Sequence, residues 1–111
     1  MTGTTLTREA ELSLQLHSAA LPFLRQDWPT ARRLMRSNLA LLKRRRRAPL
    51  AEGWVREWET AVEAGPEAVA AVALTEGERG IDLRQVSPLA GVLPQHVRLQ
   101  VLKQVRGHAA H

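Results

Sequence analysis

The stretch Trp28–Arg47, WPTARRLMRSNLALLKRRRR, separates apolar from cationic residues at helical spacing, and no other stretch restricts the fold as much. At about 100° per residue, with Ala31 at zero, Trp28, Leu34, Met35, Asn38, Leu39, Leu41 and Leu42 lie within about 80° on either side. Arg32, Arg33, Arg36, Lys43, Arg44 and Arg47 fall in the arc from about 100° to about 220°, on the opposite side. A helix divided in this way needs other helices to cover its apolar stripe, and it leaves its cations facing solvent or a ligand. Arg45 and Arg46 turn back toward the apolar side, where cations near the carbonyl end of the helix oppose its dipole. Ala48 and Pro49 then end it, because the residue before proline avoids the α region.

The flanking sequence supplies such helices. A first is expected after Thr5 or Thr7, with Glu9 and Glu11 in its opening turn and Ala10, Leu14, Leu21 and Leu24 in one apolar row, widened by Leu12, Leu16, Ala19 and Phe23. Pro22 predicts a break or kink in it, and Asp27 is the expected cap of the basic helix. A third places Ala51, Trp54, Val55, Trp58, Ala61 and Val62 on one side and Glu52, Arg56, Glu57, Glu59 and Glu63 on the other. Gly65 and Pro66 end it and open a small-residue helix through EAVAAVAL, which is expected to be largely buried. Thr75 and Glu78 have capping-box spacing for a short helix through GERGIDLRQ, weakened by Gly77 and Gly80. Ser87 with Pro88 suggests a further cap and first position, and Pro94 opens a final helix carrying Val97, Val101, Leu102 and Val105, closed by Gly107. No alternating β-branched run, repeat or long linker occurs. The expectation is all-α: a compact bundle of five or six helices with short loops, one domain over residues 1–107 and a frayed tail at 108–111.

Charge is unevenly spread beneath a net +5. Arg25–Arg47 carries nine cations against Asp27, Glu52–Asp82 has eight carboxylates against two arginines, and Arg84–Arg106 has four cations and no carboxylate. Two basic segments around an acidic one suit a polyanion on one face and a basic partner on another. A row of guanidinium groups can pair bidentately with phosphates, which makes Arg32, Arg33, Arg36, Lys43, Arg44 and Arg47 the candidate nucleic-acid contacts. The only aromatic residue nearby is Trp28, on the apolar side, so duplex DNA or structured RNA suits this face better than a bare single strand. Glu57 and Glu63 are the candidate contacts to a protein partner. Trp54 and Trp58 stand at core spacing and read as packing centres. Asn38, inside the apolar stripe, is expected to be a satisfied amide at the core edge; bonding a loop backbone and fixing a partner's geometry are the two special uses of such a residue. RQVSPLAGVLPQHVRLQVL carries part of a helix-turn-helix pattern at Ala90, Gly91, Val92 and Val97, which would present His96, Arg98, Gln100 and Lys103.

Nothing in the chain assigns a catalytic, cofactor or metal residue. The absence of cysteine removes disulfides, thiolate catalysis and cysteine zinc sites. His17, His96, His108 and His111 form no metal motif, and neither a nucleophile elbow nor a phosphate-binding glycine loop is present. A protein with no enzymatic role and no cofactor is expected. The amino-terminal MTGTTLTREAELSLQL lacks a basic segment followed by an apolar run, and no stretch approaches the roughly 18 apolar residues that span a bilayer, so a cytoplasmic location without a membrane partner is expected.

The segment EGWVREWETAVEAGPEAVAAVALTEGERGIDLRQVSPLAGVL, preceded by NLALLKRRRR, resembles a class of small bacterial helical proteins. In these an asparagine-leucine helix, a W-x-x-E-W-type helix and an LRQ-SP-AGVL segment follow in that order. Some look like antitoxins or regulators of toxin and antitoxin pairs, and the resemblance implies a toxin partner and operator binding. The expected function is a bacterial regulatory or antitoxin-like protein that binds nucleic acid through its basic helix and a protein through its acidic, Trp-containing half. The competing expectation is an interaction or assembly domain whose basic helix meets an acidic protein and has no nucleic-acid role. A membrane-surface role for the same helix comes third, because its apolar face is more simply used in the core. The sequence leaves the oligomeric state open.

Overall fold

Prolines and capping side chains set most of the helix boundaries. The computed structural model describes residues 7–45 and 48–109, with the side chains of 107–109 excepted. Among the described residues there are six helices and no strand: α1 (Arg8–Gln26), α2 (Trp28–Arg44), α3 (Pro49–Ala64), α4 (Pro66–Ala73), α5 (Gly77–Gln85) and α6 (Gln95–Ala109). Thr7 caps α1, its hydroxyl oxygen accepting from the Ala10 N–H at 3.1 Å, and the carboxylates of Glu9 and Glu11 lie in the first turn, where they face the positive end of the helix dipole. Asp27 is the only residue between α1 and α2, and its carboxylate accepts from the Thr30 N–H at 3.4 Å. Pro49 and Pro66 each stand at the first position of a helix, where the missing N–H has no helical partner to lose.

Four boundaries differ from the sequence expectation. Pro22 does not break α1, which continues to Gln26. Pro22 and Ser18 are both exposed, so the carbonyl that proline leaves without an N–H can be hydrated. The Thr75–Glu78 capping box does not form: Glu76 is the residue before α5 and makes no side-chain cap, while the Thr75 hydroxyl donates to the Ala71 carbonyl at 3.1 Å. Ser87 caps a turn instead of a helix, accepting from the Leu89 N–H at 3.1 Å, and residues 86–94 form a loop in which Gly91 has φ +87°. At the carboxyl end, α6 runs past Gly107 to Ala109, beyond the predicted stop. Residues 110 and 111 of the expected tail lie outside the described residues.

The helices close around Trp58. Its indole is fully buried with Leu24, Met35, Val62, Val69, Leu83 and Pro88, and its Nε1–H donates to the Leu83 carbonyl at 2.7 Å, which satisfies the one polar group that burial would otherwise orphan. α2 contributes Ala31, Met35 and Leu39 to this core, as its periodicity predicts, but Leu41 at the margin of the stripe is 53% exposed. Val69, Ala70 and Ala73 let α4 approach α3 closely. α6 packs along α1 and buries Val101.

α5 approaches the end of α4 closely enough to need a glycine. A Cβ at Gly80 would stand 1.7 Å from the Thr75 carbonyl oxygen, which is a backbone atom and cannot swing aside. Gly80→Ala is expected to destabilise the fold by about 3 kcal/mol in denaturant titration. Gly53→Ala, inside α3 with its nearest neighbouring atom 3.9 Å away, should instead stabilise it by roughly 0.5–1 kcal/mol.

Candidate functional site

The basic face of α2 lies against the acidic face of α3. Arg36 grips Glu63 with two bonds, Nε to Oε2 at 2.9 Å and Nη2 to Oε1 at 2.6 Å. Arg32, one turn earlier, donates from Nη2 to Glu63 Oε1 at 3.0 Å and to the Glu63 carbonyl at 3.2 Å. Farther along, Lys43 Nζ meets Glu59 Oε2 at 3.0 Å. Positions that rise along α2 meet positions that fall along α3, so the two helices run antiparallel and their i, i+4 spacings align opposite charges. Pairing with Arg36 and Arg32 holds the Glu63 carboxyl below its ordinary range.

The predicted site residues are therefore distributed as follows. Arg32, Arg36 and Lys43 face carboxylates of their own chain. Arg33 is exposed and reaches the Thr30 hydroxyl at 3.4 Å. Arg44 is exposed in the last turn of α2 and Arg45 is exposed just after it, and neither forms an ion pair among the described residues. Arg47 lies outside the described residues. Of the predicted partner contacts, Glu63 meets Arg32 and Arg36, while Glu57 accepts from both terminal nitrogens of Arg79, one of them at 2.8 Å. The hydrogen bond from Arg79 holds the Glu57 carboxyl below its ordinary range. A further bidentate pair, Arg25 to Glu67 at 2.8 and 2.9 Å, joins α1 to α4 and lowers the Glu67 carboxyl in the same way.

The helix-turn-helix arrangement is not assembled. α5 and α6 are separated by residues 86–94, whereas the motif needs two helices across a turn of three or four residues, and α6 packs on α1. His96, Arg98, Gln100 and Lys103 are nonetheless exposed on α6. Asn38 is a satisfied amide, as expected, and its partners are a loop backbone: its Nδ2 donates to the Pro88 carbonyl at 2.8 Å and to the Ala90 carbonyl at 2.9 Å, which fixes the 86–94 loop against α2.

The burial of Arg84 and of the His17 ring nitrogen was not foreseen in the sequence. Arg84, counted there among the basic segment's cations, is 6% exposed. Its Nη1 donates to the carbonyls of Ala73 at 3.0 Å and Thr75 at 2.9 Å, capping the carboxyl end of α4. Burial shifts its pKa downward, although a guanidinium keeps its proton at any physiological pH. The only sequence signal for this is Gly80 one turn before it, which admits the Thr75 carbonyl. His17 stacks at a tilt on Trp58, with ring centroids 6.3 Å apart, and its Nδ1 lies 2.7 Å from the Ser13 carbonyl. A carbonyl only accepts, so Nδ1 carries the proton and neutral His17 has its lone pair on Nε2. Burial, with a smaller contribution from the charge of Arg84, outweighs the Ser13 hydrogen bond and holds the imidazole below its ordinary value. Among the described residues no cluster of three or more His, Asp or Glu side chains could hold a metal ion, and no helix is long and apolar enough to cross a membrane.

No family model, curated protein or solved structure matches this chain.

These shifts set two pH windows. An unfolded histidine takes up a proton near 6.5 while folded His17 stays neutral, so stability is expected to fall as the pH drops below 6.5 and to do so less in His17→Asn. The depressed Glu57, Glu63 and Glu67 carboxyls stabilise the fold above the ordinary value of 4.5, and that contribution is lost as the pH falls through their lower folded values. Urea midpoints of the two proteins across the acid range separate these contributions.

Proposed function

We propose that this is a non-enzymatic regulatory protein that binds nucleic acid, duplex DNA or structured RNA, through the carboxyl-terminal end of α2. The observation that carries the reading is the position of Arg44 and Arg45: both are exposed, with no ion-pair partner among the described residues, at the end of a helix whose other cations are largely neutralised by α3. In sequence they belong to the run from Lys43 to Arg47, and no carboxylate follows until Glu52. Clustered guanidinium groups displace counterions from a phosphate backbone and recognise it by charge and shape. Arg32 and Arg36 play a reserve part, because Glu63 competes with phosphate for them. The likeness to antitoxin-like regulators is a likeness of sequence pattern, and the proposal of a toxin partner rests on that likeness alone.

A second reading, an interaction domain for an acidic protein, draws on the leucines at the same end of the α2–α3 pair. Leu41 is 53% and Leu50 73% exposed, and apolar side chains set among cations suit a protein surface better than a phosphate backbone.

Titration of nuclease-treated protein against duplex DNA, structured RNA and heparin over a range of salt distinguishes the two. Preferential binding to one nucleic acid over heparin is expected, with the slope of log K against log salt reduced by about 2 when Arg44 and Arg45 are both changed to Gln. Arg32→Gln with Arg36→Gln should reduce it less, and Glu63→Gln, which releases both arginines, should tighten binding. Absence of binding at moderate salt, or equal binding to every polyanion, overturns the nucleic-acid role.

A further inference from the structure

α2 has two flanks with a crest between them. At about 100° per residue, Arg32, Arg36 and Lys43 share the flank that meets Glu59 and Glu63 of α3. Leu34 and Asn38 lie on the other flank, against the 86–94 loop: Asn38 bonds the Pro88 and Ala90 carbonyls, and a Cβ on Gly91 would stand 3.3 Å from the Leu34 side chain. The crest consists of Arg33, Ser37 and Arg44, all exposed. Neither arginine forms an ion pair among the described residues.

The loop carries this cationic surface onward to α6. Ala90 and Gly91 are exposed, and with Arg98 they line one cleft, so the outer side of the loop runs from α2 to the start of α6. Arg98, Lys103 and Arg106 are exposed as well and form no ion pair among the described residues. The sequence has no carboxylate from Trp28 to Ala51 and none after Asp82. Of the carboxylates on neighbouring helices, Asp27 caps the start of α2, and Glu11 lies by Gln104, about 120° around α6 from Arg98. α6 packs on α1 and leaves His96, Leu99, Gln100 and Lys103 exposed.

We propose that duplex DNA lies over this surface, its phosphates met by Arg33 and Arg44 on one side of the loop and by Arg98 and Lys103 on the other. The assignment rests on nucleic-acid binding by α2 and extends that site across the loop. Unpaired cations without intervening carboxylates complement a phosphate backbone, and the small residues Ala90 and Gly91 put no bulk between the two sets. The B-form major groove admits a helix and offers acceptors to Lys103 and Gln100 and a thymine methyl to Leu99. The major groove of A-form RNA is closed to side chains, so DNA is the duplex that α6 fits.

The test is anisotropy titration of a labelled duplex, made in one sequence as DNA and as RNA, over a range of salt. The unmodified protein should bind the DNA on the order of tenfold more tightly than the RNA. Arg98→Gln with Lys103→Gln should lower the slope of log K against log salt by about 2 and leave the urea midpoint unchanged. Ala90→Glu places a carboxylate between the two sets of cations and should weaken binding severalfold. Ala71→Glu, at an exposed position of α4, changes the net charge equally and should have little effect. An unchanged slope in Arg98→Gln with Lys103→Gln, while Arg44→Gln with Arg45→Gln still lowers it, confines the nucleic acid to α2 and overturns the extension alone. RNA bound as tightly as DNA, or Ala71→Glu as damaging as Ala90→Glu, overturns it too. An unmodified protein that binds neither duplex at moderate salt overturns nucleic-acid binding altogether, and this surface with it.

Discussion

A buried indole brings both the largest apolar surface of any side chain and a donor that must be met, and in this chain the donor of Trp58 is met by the Leu83 carbonyl. That single bond requires α5 to lie beside α3, and the other features of this end of the molecule follow. With α5 in place, its first turns press against the end of α4, so Gly80 must carry no Cβ. The same approach brings Arg84 under the carbonyls of Ala73 and Thr75. The interior therefore holds a cation because helix packing placed it there, and the carboxyl end of α4 is the counterpart that makes this tolerable.

Charge is organised in the same economical way. The two oppositely charged segments occupy adjoining antiparallel helices, so much of each is spent on the other. Exposed ion pairs of this kind contribute little to stability, but they decide which cations remain for a visitor. Pairing removes charges of both signs and leaves the net +5 unchanged, and part of the positive excess stands at the end of α2, on Arg44 and Arg45, and along α6, on Arg98, Lys103 and Arg106.

Much of the fold was legible because it was written locally. The Asp27 cap, the prolines that open α3 and α4, and the stripe of Ala31, Met35 and Leu39 each depend on residues a turn or two apart. Several of the failures concern groups whose partners are distant in sequence. Thr75 and Glu78 have capping-box spacing, but the turn before α5 is held by Arg84 from nine residues away, and Thr75 bonds back to Ala71. The cations of α2 have a helical face that the sequence shows plainly, yet its occupant, Glu63, is 27 residues from Arg36. The exposure of Arg33 and Arg44 and the satisfied amide of Asn38 were readable; the pairing of Arg32, Arg36 and Lys43 with α3, and the burial of Arg84 and of the His17 ring nitrogen, needed tertiary register.

Asn38 spends both amide hydrogens on one loop, bonding the carbonyls on either side of Leu89. Because Pro88 is itself fully buried, the loop is pinned at two depths, by its side chain below and its carbonyls above. Both bonds come from one nitrogen, so a rotation of the Asn38 amide away from the loop breaks the two together. While they hold, the loop stays with α2. The basic helix and the loop that links α5 to α6 are thus joined through one side chain.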